Sequence, residues 1–264
     1  MIDIHHHLLF GLDDGSPDLE TSVAMARIAF EDGITHVVCT PHASGSYTYN
    51  PERNTERLAA LRDALAAENI DLTLGIGCDF HLSYDNINEA IADPKKFAIN
   101  ATQYLLVELP DYGLPPTLTE TFYQLQLAGL TPILTHPERN PTLQRDLDRM
   151  KDWLRNGLLI QVTGGSLLGH MGRTAEQVSH TLLRDRWVHV LATDAHNITS
   201  RPPRLSEARD IVAKRYGQHY ADLLTTENPR NIFDGTPLSQ QEEPRNLFEN
   251  HDAKKPLWKR LLRR

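Results

Sequence analysis

Seven short apolar segments alternate with amphipathic ones along the first 193 residues, and that alternation limits the possible folds more than any other feature of the chain. The strand-like segments, rich in β-branched residues, are 1–7, 34–40, 72–78, 104–107, 132–135, 158–163 and 188–193. Helix-like stretches separate them. Ser16-Pro17-Asp18 reads as a cap, a proline at the first helical position and an acidic first turn, and Gly33 ends the run. Asn50-Pro51-Glu52 opens a second helix that continues to about residue 68, and further helical spacing covers 117–128 (stopped by Gly129), 143–155 and 174–184. Strands joined through helices pair in parallel. Seven such units predict a closed or nearly closed α/β barrel, and an open doubly wound sheet is disfavoured because no glycine-rich phosphate loop follows the first strand.

With 264 residues and no Gly/Ser- or Pro-rich linker through the middle, one domain is expected. No apolar run approaches membrane-spanning length, and a strand that begins at residue 2 leaves no room for a signal peptide, so a cytoplasmic protein is expected. The net charge of −8 is unevenly spread. Residues 251–264 hold six Lys/Arg against one Asp, +5 with His neutral, which leaves −13 for residues 1–250. An acidic body of this kind argues against nucleic acid as a partner and suits the collection of cations. Cys39 and Cys78 have neither C-x-x-C spacing nor an arginine six residues on, where Gly45 and Tyr84 stand; thiolate metal clips and C-x5-R cysteine phosphatases are both excluded.

Strand ends are where a barrel of this type keeps its chemistry. Here six of the seven end in a metal-competent side chain: His5 and His7, His42, Asp79, Glu108, His136, and Asp194 with His196. Side chains alternate along a strand, so His5 and His7 share a face and His6 turns away. A lone histidine at a strand end is more often a hydrogen-bonding group than a ligand. Many imidazoles and carboxylates in one pocket are costly without compensation, since buried ionisable groups must be paired or bound to metal. Counting Asp14 from the turn Asp13-Asp14-Gly15, nine candidate ligands exceed what one ion needs. Two or three divalent ions are expected, and mixed nitrogen and oxygen donors suit Mn²⁺, Fe or Zn²⁺.

The motifs Asp3-Ile4-His5-His6-His7, Asp13-Asp14-Gly15, Thr40-Pro41-His42, His136-Pro137-Glu138-Arg139 and Asp194-Ala195-His196-Asn197 resemble the PHP (polymerase and histidinol phosphatase) superfamily. Within it they are most similar to the branch of bacterial capsule-type protein-tyrosine phosphatases. Gly164-Gly165-Ser166-Leu167-Leu168-Gly169 and Arg201-Pro202-Pro203 extend the likeness, which spans residues 1–238. The resemblance implies a distorted (β/α)7 TIM-like barrel with a manganese-type trinuclear site. It implies that His5, His7, Asp79 and Asp194 hold a first metal, that Asp79 bridges to a second held by Glu108 and His136, and that Asp14, His42 and His196 hold a third. The family commonly has Glu at the bridging position, where this chain has Asp79. His81 is expected outside the ligand set.

Clustered divalent ions lower the pKa of a bridging water, so hydroxide attack on phosphorus near neutral pH is the expected chemistry, with Arg139 and Arg201 clamping the phosphate. The resemblance implies a phosphotyrosine protein as partner, a bacterial tyrosine kinase of exopolysaccharide synthesis. The alternatives are a small-metabolite phosphatase, such as one for histidinol phosphate, and a noncatalytic regulatory module. Tyr47 and Tyr49 with Gly45, and the segment Asp111-Tyr112-Gly113-Leu114-Pro115-Pro116, are candidates for a rim that accepts an aromatic substrate. Residues 239–264 read as a polar, then basic, flexible tail whose Trp and Leu residues allow weak contact with an anionic membrane surface.

Overall fold

A computed structural model describes residues 1–110 and 113–248. Its strands are β1 (Ile2–His6), β2 (His36–Cys39), β3 (His42–Ala43), β4 (Thr73–Ile76), β5 (Asp79–His81), β6 (Tyr104–Glu108), β7 (Thr131–Thr135), β8 (Leu159–Thr163) and β9 (Val190–Ala192). They form two parallel sheets, ordered β1-β2-β4 and β3-β5-β6-β7-β8-β9. The helices are α1 (Leu19–Glu31), α2 (Pro51–Ala67), α3 (Tyr84–Ala92), α4 (Leu118–Leu127), α5 (Pro141–Arg145), α6 (Met150–Arg155), α7 (Gly164–Leu167), α8 (Arg173–Arg184), α9 (Ser206–Tyr216), α10 (Gln218–Asp222) and α11 (Asn228–Asp234).

The predicted strands 34–40 and 72–78 are present as β2 and β4, and past each the chain forms a further short strand, β3 and β5, in the other sheet. Pro41 has no N–H to donate, so β2 stops before it and the chain continues as β3. In the partner, the break falls at Gly77, where a Cβ would come within 3.0 Å of the Ile99 side chain. Backbone bonds carry the pairing across the joint, from Gly77 N–H to Cys39 O (2.9 Å) and from Asp79 N–H to Pro41 O (3.3 Å). The two sheets are therefore fastened together on this side.

They are also fastened at β1. Its pairing with β2 slips between Asp3 and His6, and beyond the slip His6 pairs with Ala195 while Asp194 N–H donates to His5 O at 2.9 Å. Asp3, fully buried, accepts from Thr193 through both its backbone N–H (3.1 Å) and its hydroxyl. Burial pushes the Asp3 carboxyl up to about 6, against the pull of those bonds. The first strand and the segment after the last one, 190 residues apart, thus meet through a buried side chain.

Ile2, Ile4, Val38, Leu106, Ile133, Val190 and Ala192 pack into a cluster of their own, separate from the larger one that includes Leu105, Val107, Leu134, Ile160, Val162 and Leu191. Alternate residues of one strand thus feed different cores, as expected of strands buried on both faces. Burying the side chains of Ile2 and Ile4 contributes on the order of 2 kcal/mol each.

Several expectations need correction. The cap of α1 is Asp18, whose side chain accepts from Thr21 N–H, while Ser16 is buried and hydrogen-bonded to Ser22. The helix expected over 143–155 is two helices, α5 and α6, with a short 3-10 turn between them. Helix α3, capped by Ser83 through Asn86 N–H, lies where no element was expected. Residues 239–248 contain no helix or strand but are held to the body rather than free. Arg186 pairs with Glu242 at 3.0 Å, Trp187 Nε1–H donates to Arg245 O at 2.9 Å, and Leu247 is buried. The basic stretch 251–264, with its expected membrane contact, lies outside the described residues. Among the described residues no helix is long and apolar enough to cross a membrane.

Candidate metal centre

All nine predicted ligands come together, His42 and Asp79 as the first residues of β3 and β5 and the others at the ends of β1, β6, β7 and β9 or in the segments that follow them. They form four overlapping groups: His7, Asp14, His42 and His196; His5, Asp79 and His136; His5, His7 and Asp194; His42, Asp79 and Glu108. Within each group the ligand atoms lie within 4.8 Å of one another. His5 Nε2 and His7 Nε2 face each other at 3.4 Å, as expected of residues two apart on one strand face. His6 stands apart, buried with neither ring nitrogen hydrogen-bonded, and burial pushes its pKa down to about 3.

Asp79 and Asp194 are the hubs. Asp79 Oδ2 lies 3.3 Å from His5 Nε2 and 3.4 Å from His42 Nδ1, yet both its oxygens are buried without a hydrogen-bond partner. Two buried carboxylate oxygens without a hydrogen-bond donor are what a cation would satisfy. Burial opposes its charge, but His5 and then His42 outweigh that and hold it below the usual carboxylate range. Asp194, in a left-handed backbone (φ 52°), turns Oδ1 towards His5 Nε2 (3.4 Å) and His7 Nε2 (3.5 Å). Its Oδ2 accepts from Arg139 and Arg201, at 2.5 Å each. The two arginines expected on the substrate phosphate therefore converge on a candidate metal ligand.

Crowding pulls the remaining groups in opposite directions. Burial and the neighbouring Asp79 charge push Glu108 up to about 7. His136, also in a left-handed backbone (φ 34°), is pushed down to about 3 by burial and by Arg139. Asp14 is half exposed and held well below its ordinary value by bonds from His196 and His42. The arrangement is open at Asp14 and closed around His5. A cavity of about 100 Å³ lined by Glu108, Thr135, His136, Arg139 and Asn140 opens beside the cluster. His81 pairs in register with Glu108 and belongs to none of the four groups.

Two residues absent from the sequence-level ligand set fix the rings in it. Asp13 Oδ2 lies 2.8 Å from His7 Nδ1, and Gln161 Oε1 lies 3.0 Å from His5 Nδ1. Each acceptor holds the proton on Nδ1 and leaves Nε2 free to ligate. Asp13 also accepts from His42 N–H and Gly15 N–H, and a Cβ at Gly15 would strike His7 O at 2.4 Å, so the turn is pressed onto the ring it orients. Gln161 lies inside β8, whose end carries no ligand, so that strand contributes to the site through its interior. Asp13→Asn is expected to weaken Mn²⁺ binding at least about tenfold, read by isothermal titration, with activity returning at saturating metal. Unchanged affinity would reduce Asp13 to a turn residue.

The family described as "Capsular polysaccharide synthesis, CpsB/CapC" matches residues 1–234. The tyrosine-protein phosphatase YwqE of Bacillus subtilis is 32% identical over 252 residues, covering 94% of this chain and 99% of that protein. The tyrosine-protein phosphatase CpsB of Streptococcus pneumoniae is 28% identical over 239 residues, 88% of this chain and 98% of that one. A solved structure from work on these two proteins, described there as metal-dependent tyrosine phosphatases, matches with a TM-score of 0.86 and 31% identity over 93% of this chain and 98% of that one. Matched along nearly its whole described length, the chain belongs to the CpsB/CapC family of capsular polysaccharide synthesis.

Proposed function

We propose that the chain is a metal-dependent protein-tyrosine phosphatase that acts on a tyrosine kinase of capsule or exopolysaccharide synthesis in the cytoplasm. The observation that carries this reading is the set of four overlapping donor groups around Asp79, whose two buried oxygens have no hydrogen-bond partner. The relatives' names and family supply the substrate class. In this reading residues 1–238 are a distorted (β/α)7 barrel, a closure supported by the His6–Ala195 pairing and the Asp3–Thr193 bonds.

Two or three ions fit the donors, and nitrogen and oxygen ligands without thiolate favour Mn²⁺, with Fe or Zn²⁺ as substitutes. Such ions supply activated water at neutral pH and offset the charge gathering on a phosphoryl group. His5, His7, His136 and Asp194 would hold the buried part of the cluster, Asp79 would bridge, Glu108 would share with His42, and Asp14 and His196 would complete the open side. Arg139 and Arg201 orient Asp194 through Nη1 and Nη2 respectively and keep further donors for phosphate oxygens. Phenolate leaves with a parent pKa of about 10, so the chain needs no strong general acid.

The test is turnover of p-nitrophenyl phosphate, a phosphotyrosine peptide and histidinol phosphate by protein stripped with chelator and reloaded with Mn²⁺, Zn²⁺ or Fe²⁺. Aryl ester hydrolysis restored by Mn²⁺ is expected, and turnover of histidinol phosphate alone would overturn the assignment. Loading should also release protons. Burial disfavours charge on His5 and His7, but Asp79 and Asp194 around the first, and Asp13 and Asp194 around the second, raise both above the ordinary histidine value. A raised pKa means that protons compete with metal up to higher pH. Mn²⁺ affinity is therefore expected to fall as pH is lowered from about 8 to about 6, with heats that depend on buffer ionisation.

A further inference from the structure

The turn after β3 carries an aromatic ring to which the metal chemistry gives no task. Ser44 N–H donates to Tyr47 O at 2.9 Å, closing a tight turn over the exposed Gly45 and Ser46. This sets the partly exposed Tyr47 ring nearly parallel to His42, with 14° between planes and 5.8 Å between centroids, an offset stack. His42 in turn lies 3.4 Å from Asp14, 3.4 Å from Asp79 and 3.6 Å from Glu108. Tyr49, its equal in the sequence, has another role: its hydroxyl donates to Gly77 O at 3.1 Å and its ring packs on Phe97. Tyr47 and Tyr49 thus separate into one that borders the donor cluster and one that braces the joint between the sheets, while Tyr112, of the second predicted rim segment, lies outside the described residues.

We propose that Tyr47 is a specificity-determining residue that stacks on the aromatic ring of an aryl phosphate and so favours phosphotyrosine over alkyl phosphates; this rests on the phosphatase reading above. An ester whose phosphoryl group sits among the donors carries its ring outward from the cluster, whose His42 side Tyr47 borders. The contact with His42 already restrains the Tyr47 ring, so little side-chain freedom remains to be lost when a substrate ring arrives. Among the described residues, Tyr47 is the one non-histidine ring in contact with a donor histidine. The site histidines make their other ring contacts with one another, and Arg139 and Arg201 are paired with Asp194.

The experiment compares inhibition of the Mn²⁺-loaded full chain by phenylphosphonate and by methylphosphonate in wild type, Tyr47→Ala and Tyr47→Phe, with metal content measured in each. Tyr47→Ala should raise the Ki of phenylphosphonate about 5- to 10-fold, up to about 1.4 kcal/mol, a size within reach of a stacked pair. Methylphosphonate should be unaffected, and Tyr47→Phe should match wild type because the ring and not the hydroxyl makes the contact. Equal weakening of both inhibitors would mean that Tyr47 acts through His42, and no change in either would mean that it touches no substrate; both overturn the proposal, as does a Tyr47→Phe that behaves like Tyr47→Ala. A wild type that hydrolyses no aryl phosphate under any metal would sink the phosphatase reading and this one with it. An active wild type with an unchanged Tyr47→Ala would sink only this one.

Discussion

Asp79→Asn is expected to lower kcat for a phosphotyrosine peptide at least about a thousandfold, on the order of 4 kcal/mol of transition-state stabilisation, while leaving the chain folded. The carboxylate belongs to two of the four donor groups, one with His5 and His136 and one with His42 and Glu108, so no other single residue joins those parts of the cluster. An amide keeps the shape but brings an NH2 to one of two positions that need a negative oxygen. Stability of the metal-free chain should change by no more than about 1 kcal/mol, because the groups facing Asp79 are imidazoles. His5 and His42 can each give up a proton and become neutral when their carboxylate is removed. The measurement is metal content by elemental analysis beside kcat and a denaturant melt. A variant that keeps both full metal content and more than about a tenth of the activity would remove Asp79 from the bridging position.

The ligands could be found in the sequence because each is a polar residue standing where an apolar run ends, and parallel strands bring all such ends to one side. His5, His42, Glu108 and His136 are conspicuous for that reason. The same logic hides Gln161. It lies inside Leu159-Ile160-Gln161-Val162-Thr163, and an amide in the middle of a strand reads as a flaw in the pattern unless its partner, 156 residues away, is known. Asp13 was visible as one of a pair, but only the fold shows that Asp13 turns inward to His7 Nδ1 while Asp14 remains half exposed. The short strands β3 and β5 are illegible for another reason. Apolar periodicity covers Ile34 to Thr40 and Leu72 to Cys78, and nothing in it shows that the residues just past each run pair in a second sheet, where Gly77 packs closely on Ile99, a tertiary contact. Past Ala192 no strand period remains to order the chain, and α9, α10 and α11 follow without one.

Asp194→Asn should abolish turnover as completely as Asp79→Asn, but unlike it should also damage the metal-free fold, by about 3 kcal/mol or more. Both carboxylates are buried and both serve the donor cluster; the difference lies in what faces them. Asp194 Oδ2 accepts from Arg139 and Arg201, and guanidinium groups do not give up their charge at any pH the fold survives. Burial opposes the Asp194 charge, yet His5, His7 and Arg201 together hold it well below the ordinary carboxylate value. Without that charge two arginines converge on an amide that can accept but not neutralise, beside His5 and His7, which would then discharge. Asparagine tolerates the left-handed backbone at this position, so the loss would report charge rather than strain. Denaturant melts of the two metal-free variants at about pH 7.5 give the contrast directly. If Asp194→Asn proves no less stable than Asp79→Asn, the arginine pair draws its compensation from elsewhere. In that case Arg139 and Arg201 would be free to serve the substrate without first positioning a metal ligand.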